Sequence, residues 1–334
     1  MPIPFILGGL ALAAAGYGAK KTYDAYEDNS TAEYNNEKAK KIYDEAQSEL
    51  NEKRINTNAK LEELGALKLK IYKNSLQDFV DIYSKIENVE MKNNLDLGLK
   101  IADSDFKNIL EIKNDILKIT ELAGATTAAL GGGALAGLGA FGGAGLLATA
   151  STGTAIGTLS GVAATNATLA WFGGGSLAAG GLGMAGGMAI LGGIVAGPIL
   201  AIAGGIFAAK AETAKHESYA NLDKAKAYAE EMKIAQVIVE EIKQRVEEFI
   251  TILKSLESMF ENYLDKLDSI IDRNRDYLTY NISEQEIVCI TESIAITVKN
   301  VCDAPIIDEN GKITRKSRRI LEDTNEFLTK LKEI

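Results

Sequence analysis

YAEEMKIAQVIVEEIKQRVEEFITILKSLESMFENYLDKLDSIIDRNRDY, residues 228–277, returns to an apolar side chain at alternating steps of four and three. The series is Tyr228, Met232, Ala235, Val239, Ile242, Val246, Phe249, Leu253, Leu256, Phe260, Tyr263, Leu267, Ile270, Asn274 and Tyr277, and only Asn274 breaks it. A 3.5-residue repeat held this long predicts one α-helix of about 50 residues and about 75 Å, with a coiled-coil seam that another helix must cover.

Working outward toward the N-terminus, a second polar and helical stretch runs from residue 29 to residue 121. Ile42, Ala46 and Leu50 recur at helical spacing, and Tyr72, Leu76, Phe79, Tyr83 and Ile86 form a heptad piece. After a break expected at MKNNLDLG, residues 91–98, Phe106, Ile109, Ile112, Ile116 and Ile119 form another stripe. This arm, folded back antiparallel, is the nearest partner for the 228–277 seam, and a second copy of the chain is the other.

Between the arms lies the chain's compositional anomaly. Glu121 is the last charge before it and Lys210 the first after it, so the 88 residues Leu122–Ala209 contain no Asp, Glu, Lys, Arg or His. They hold 25 of the chain's 32 glycines. An uncharged run this long could cross a membrane two to four times. In water, glycine disfavours helix by about 1 kcal/mol per residue relative to alanine. Within a bilayer, helix is the only way for a lone segment to satisfy its backbone, and glycines four apart let helices approach closely. Gly133 and Gly137, Gly153, Gly157 and Gly161, Gly183 and Gly187, and Gly193 and Gly197 have that spacing. They are the candidate membrane-helix packing residues, and Trp171 is the candidate interface marker. Gly and Ala dominate the run at the expense of Leu, Ile, Val and Phe, which suits a segment stored in one state and inserted in another.

Composition excludes several functions. A net charge of −10 and a pI near 4.9 argue against nucleic acid as a partner. His216 is the only histidine, so histidine-based metal sites and Ser-His triads have no material. GLGMAGG, residues 181–187, imitates a phosphate loop but follows no strand and has no accompanying lysine. Neither an enzyme nor a cofactor is expected. Cys289 and Cys302 lie too far apart along one helix to bridge and are expected as buried thiols in a reducing compartment. The apolar start, MPIPFILGGLALAAAGYGAKK, carries its lysines after the core instead of before it, which is opposite to an export signal. A retained N-terminal helix is expected, touching membrane or packing on the glycine-rich region. In the C-terminal part, Ser283 and Glu286 suggest a capping box, Asn310-Gly311 a short hairpin, and RKSRR, residues 315–319, a basic cluster that is solvated or meets anionic lipid or an acidic part of this same chain.

MPIPFILG together with ASTGTAIGTLSGVAATNATLAWFGGGSLAAGGLGMAGG, residues 150–187, resembles a widespread family of uncharacterised bacterial proteins with a Gly-rich hydrophobic centre between long helices. The order of amphipathic helices, uncharged hairpin and long amphipathic helix is similar to α-helical pore-forming toxins of the ClyA and Hbl type and to apolipoprotein L. That resemblance implies membrane insertion of the hairpin and oligomeric pores.

The expected architecture is all-α: an elongated antiparallel coiled-coil body with a Gly/Ala-rich membrane-inserting hairpin and a small C-terminal subdomain with a short β-hairpin. Its expected parts are an N-terminal apolar helix (1–28), an amphipathic arm (29–121), the uncharged inserting region (122–209), the heptad helix (210–282) and a C-terminal helical subdomain (283–334). The expected function is a membrane-active effector, cytoplasmic or at a bacterial inner membrane, that oligomerises and permeabilises a lipid bilayer. The rival expectation is a constitutive membrane-anchored coiled-coil scaffold that recruits a protein partner.

Overall fold

The computed structural model describes residues 18–88, 109, 111–117, 132–142, 214–308 and 312–333. Their regular structure is helical: α1 (Gly18–Lys73), α2 (Ser75–Tyr83), α3 (Gly132–Phe141), α4 (Ala214–Arg273), a 3-10 turn (Tyr277–Thr279), α5 (Ile282–Asp303) and α6 (Arg315–Leu331). Residues 111–117 add a further helical piece. Among the described residues there is no strand, and no helix is long and apolar enough to cross a membrane. The chain divides into two compact units, one formed by 1–49 with 198–233 and the other by 50–197 with 234–334.

In the first unit, α1 and α4 meet through small side chains. Ala32, Ala39 and Ala46, seven residues apart, are buried on α1, and Ala225 and Ala229 are buried on α4. Ala39 packs with Leu222, Ala225 and Ile42. Two side-chain bonds fix the register: Asn35 Nδ2 donates to Ser218 Oγ at 3.3 Å, and Asn221 Nδ2 donates to Asn36 Oδ1 at 3.1 Å.

In the second unit the cross-helix partners are Lys53 with Glu240 at 3.5 Å, Glu63 with Lys254 at 3.4 Å, Lys70 with Glu257 at 3.0 Å and Lys85 with Asp268 at 3.4 Å. Residue numbers climb together on both sides, and Glu87 and Asp276 close the series with a parallel bridge. The first unit shows the same order. Within each unit the two arms therefore run parallel, which corrects the antiparallel arrangement expected from sequence. A heptad seam has no direction of its own; short loops force antiparallel neighbours, and here 125 residues separate Asn88 from Ala214.

The α4 stripe from Met232 to Phe260 is buried without interruption: Met232, Ala235, Val239, Ile242, Val246, Phe249, Leu253, Leu256 and Phe260. Phe260 meets Phe79 of α2 at 5.9 Å between ring centroids. Beyond Phe260 the buried face drifts to Leu264, Leu267, Ile270 and Ile271, leaving Tyr263 half-buried, as Tyr228 is at the other end. A helix of 3.6 residues per turn rotates steadily away from a 3.5 repeat, and that drift is the reason. The helix also stops at Arg273, short of the expected Tyr277. There the Asn274 side chain accepts from Asp276 N at 3.1 Å and the Asp276 side chain from Leu278 N at 3.2 Å, turns that compete with helix.

The heptad residues Tyr72 to Ile86 are buried, but Tyr72 belongs to α1, Leu76, Phe79 and Tyr83 to α2 after a break at Asn74, and Ile86 lies beyond the end of α2. The capping box of α5 lies two residues earlier than expected: Asn281, not Ser283, caps the helix, and Glu284, not Glu286, reaches back to it. Both of its bonds are 3.0 Å. The expected C-terminal hairpin is reduced to one antiparallel bridge, Ile307 with Ile313, and the N–H groups of Ile306 and Ile307 donate to Ala140 of α3 instead of to a partner strand. Its turn, Asn310-Gly311, lies outside the described residues.

Candidate functional site

The site begins with an unusual glycine. Between Gly18 and Gly98 the sequence has a single one, Gly65, in mid-helix, where it costs about 1 kcal/mol relative to alanine. Its place is explained by α3. A methyl group on Gly65 would lie 1.9 Å from the Leu135 carbonyl oxygen, and one on Gly139 would lie 2.1 Å from the Leu61 carbonyl oxygen. Two bare backbones thus press together, an approach that any side chain would prevent.

The end of α3 is met group by group. Helix termini leave their last carbonyls without partners. Gly142, at φ 65°, turns the chain in the left-handed conformation and donates its N–H to the Leu138 carbonyl at 3.0 Å. Ile306 and Ile307 donate to the Ala140 carbonyl at 2.7 and 3.3 Å. Lys68, one turn beyond Gly65 on α1, donates to the carbonyls of Leu138 at 3.4 Å, Gly139 at 3.2 Å and Ala304 at 3.5 Å. Its ammonium also stands 5.9 Å from the centre of the Phe249 ring.

Lys68 is 0% exposed. A cation at a helix C-terminus is favoured by the macrodipole, yet removal from water disfavours it more strongly. Burial brings its pKa from the ordinary 10.5 down to about 8, with Cys302 and Asp303 pulling the other way. Beside it, burial raises the Tyr72 phenol and the Cys302 thiol well above their ordinary values. Tyr72 donates to Asp303 Oδ1, and Asp303 Oδ2 pairs with Lys299 at 2.7 Å. Lys299 also pairs with Asp115 at 3.1 Å and Glu111 at 3.4 Å. Burial works against the Lys299 charge, but Asp303 and Asp115 outweigh it and hold its pKa above the ordinary value. The chain on either side of α3's seat is thereby clamped by an ion network.

Of the glycines predicted to pack membrane helices, Gly133 and Gly137 belong to α3, and Gly137 is buried in the second unit. Residues 132–142 complete a helical core that includes Ala136, Leu138, Ala140 and Phe141, because a small-residue helix fits wherever another backbone comes close, in water as in lipid. Gly153, Gly157, Gly161, Gly183, Gly187, Gly193, Gly197 and Trp171 lie outside the described residues. The residues that seat α3, namely Gly65, Lys68, Gly139, Gly142 and Asp303, escaped the sequence reading. Two had a signal: Gly65 is the single glycine between Gly18 and Gly98, and Lys68 interrupts the apolar series Leu61, Leu64, Tyr72 at a core position.

The exposed basic residues Arg315, Lys316, Arg318 and Arg319 open α6, whose other face buries Leu321, Phe327, Leu328 and Leu331. Both cysteines are free, and no metal-ligating cluster occurs among the described residues. No family model, curated protein or solved structure matches the chain, so its own residues are the guide to its role.

Proposed function

We propose that the chain is a helical membrane-active protein whose uncharged segment enters a lipid bilayer, associates there with copies of itself through glycine faces, and permeabilises it. The observation that carries this reading is the absence of any charge from Leu122 to Ala209. The seat of α3 refines it. The first part of the run is held by the helical core, leaving the 67 residues 143–209 as the inserting portion; because α3 and α4 share that core the segment must return to the side it left, and its length is enough for two crossings at about 20 residues each.

Parallel pairing lends further support. Residues 1–19 are also uncharged and lead into α1, while 143–209 lead into α4. Because α1 and α4 run the same way in the first unit, both uncharged stretches feed that unit. The helical units store and position the segment. The rival scaffold reading draws on Ile234 and Val237, large apolar side chains that α4 leaves exposed for a protein partner.

The test is dye release from anionic lipid vesicles, measured beside vesicle sedimentation, for the parent, Gly157→Ile and Thr158→Ile. Isoleucine at 157 makes the segment more hydrophobic but holds neighbouring helices apart. A permeabilising oligomer loses release in Gly157→Ile while still sedimenting with vesicles, and keeps it in Thr158→Ile. A parent that sediments with vesicles but never releases dye establishes the scaffold instead.

A further inference from the structure

Among the described residues the buried ammonium of Lys68 has no counter-ion. Among the described residues no carboxylate lies within ion-pair distance of it, since Asp303 is engaged by Tyr72 and Lys299, and Glu257 by Lys70. Its partners are three carbonyls at 3.2 to 3.5 Å, longer than the roughly 2.7–2.9 Å of a strong charge-assisted bond. A fully buried cation answered this weakly costs more than a neutral or apolar group in its place. The cost is incurred where α3 sits, because two of the three carbonyls belong to the last turn of α3. Were α3 to leave, water would reach the ammonium and the cost would vanish.

We propose that Lys68 is a built-in destabiliser of the α3 seat, so that α3 is poised to leave the helical core while Lys68 is charged and is held more tightly once Lys68 loses its proton. This deepens the membrane-insertion reading, since α3 adjoins the segment that would insert and its departure would lengthen that segment. The titratable groups around Lys68 are Cys302 and Asp303 of α5 and Tyr72 of α1. Lys299 of α5, Asp115 of the 111–117 helix and Glu257 of α4 lie behind them.

The direction follows from linkage. The seated state prefers the neutral amine, and the released state has the ordinary lysine affinity for the proton. Seating therefore strengthens as pH rises from about 8 toward 10.5 and is weakest, and flat, below that window.

The experiment is pulsed hydrogen exchange on the full chain without lipid, reading protection factors of amides 135–142 normalised to intrinsic rates, with amides 253–264 of α4 as reference. Between pH 7 and pH 9.5, α3 protection should rise by on the order of tenfold or more relative to the reference. In Lys68→Met the rise should be absent. Lys68→Gln serves as a second non-titrating variant if Lys68→Met fails to fold. Protection that falls or stays level in the parent overturns the proposal and makes Lys68 a plain anchor, and a rise that persists in the variants overturns it by assigning the response to another group. Vesicle sedimentation is scored separately, so a failure of membrane insertion leaves this result standing, and the reverse.

Discussion

A single methyl group tests how α3 is held. At Gly65 and Gly139 the atoms that an added Cβ would strike are backbone carbonyls, which cannot rotate aside as a side chain could. Gly65→Ala gains about 1 kcal/mol of helix propensity but forces two helices apart, and overpacking of this kind costs about 1–3 kcal/mol, at times more. The net expectation for Gly65→Ala and Gly139→Ala is lower stability in denaturant unfolding, and a stabilised Gly65→Ala would mean that α3 does not rest there. Glu292 allows a different test. It is 1% exposed in α5, neither carboxylate oxygen has a hydrogen-bond partner among the described residues, and burial raises its pKa from 4.5 to about 7. The folded chain thus holds this proton more firmly than the unfolded chain does, so the linked stability is present below pH 4.5 and is lost as pH rises through about 7. Glu292→Met should flatten the decline in unfolding free energy between pH 5 and pH 8, a difference of up to about 3 kcal/mol, and an unchanged pH profile would show that the carboxylate is solvated. Neither position stood out equally in the sequence. Gly65 was marked as the single glycine between Gly18 and Gly98 and Lys68 by sitting on an apolar stripe, whereas α5 is buried on nearly every side from Val288 to Val298, so no polar face showed Glu292 to be misplaced.

At the scale of the elements, the long helix was legible because burial on one face imposes a period. Phe249 and Leu253, both on that period, are fully buried, and truncating either to alanine should cost about 2–5 kcal/mol in unfolding measurements. Loss of less than about 1 kcal/mol in both would show the seam to be open. Helix ends were legible only approximately. The α5 cap was misplaced because Ser283 and Glu286 have the same spacing as Asn281 and Glu284, and α4 ended early because Asn274 and Asp276 bond to the backbone. Strand direction has its counterpart here in helix direction, which periodicity does not encode at all. Parallel pairing can be checked with cysteines joined by a short bifunctional reagent in a background lacking Cys289 and Cys302. The pairs Asn35→Cys with Ser218→Cys and Lys70→Cys with Glu257→Cys should each cross-link within one chain. Failure of both pairs in a folded protein would restore the antiparallel arrangement.

For the whole molecule, the uncharged run remains the feature from which function is read, and composition made it visible at once. What composition could not show was that its first part belongs to a helical core, because a small apolar helix is equally at home beside a bare backbone in either solvent. Placing lysines in the later part separates the two roles. A charge at the centre of a membrane helix costs about 2.5–3.5 kcal/mol, so the double variant Ala196→Lys, Ala203→Lys should cease to sediment with vesicles while keeping the parent's denaturant midpoint. A shifted midpoint with unchanged sedimentation would place 196–203 in the helical core as well. The parallel arms also set an order of events during synthesis. Residues that pair across α1 and α4 lie 182 to 191 apart in the chain. At about 5–20 residues per second, α1 waits roughly 10–40 s on the ribosome before its partner exists. The uncharged segment emerges within that interval, ahead of all of α4. The nascent chain therefore presents its uncharged stretch to its surroundings while α1 still lacks α4, and any bilayer near the ribosome is met before the two long helices can pair.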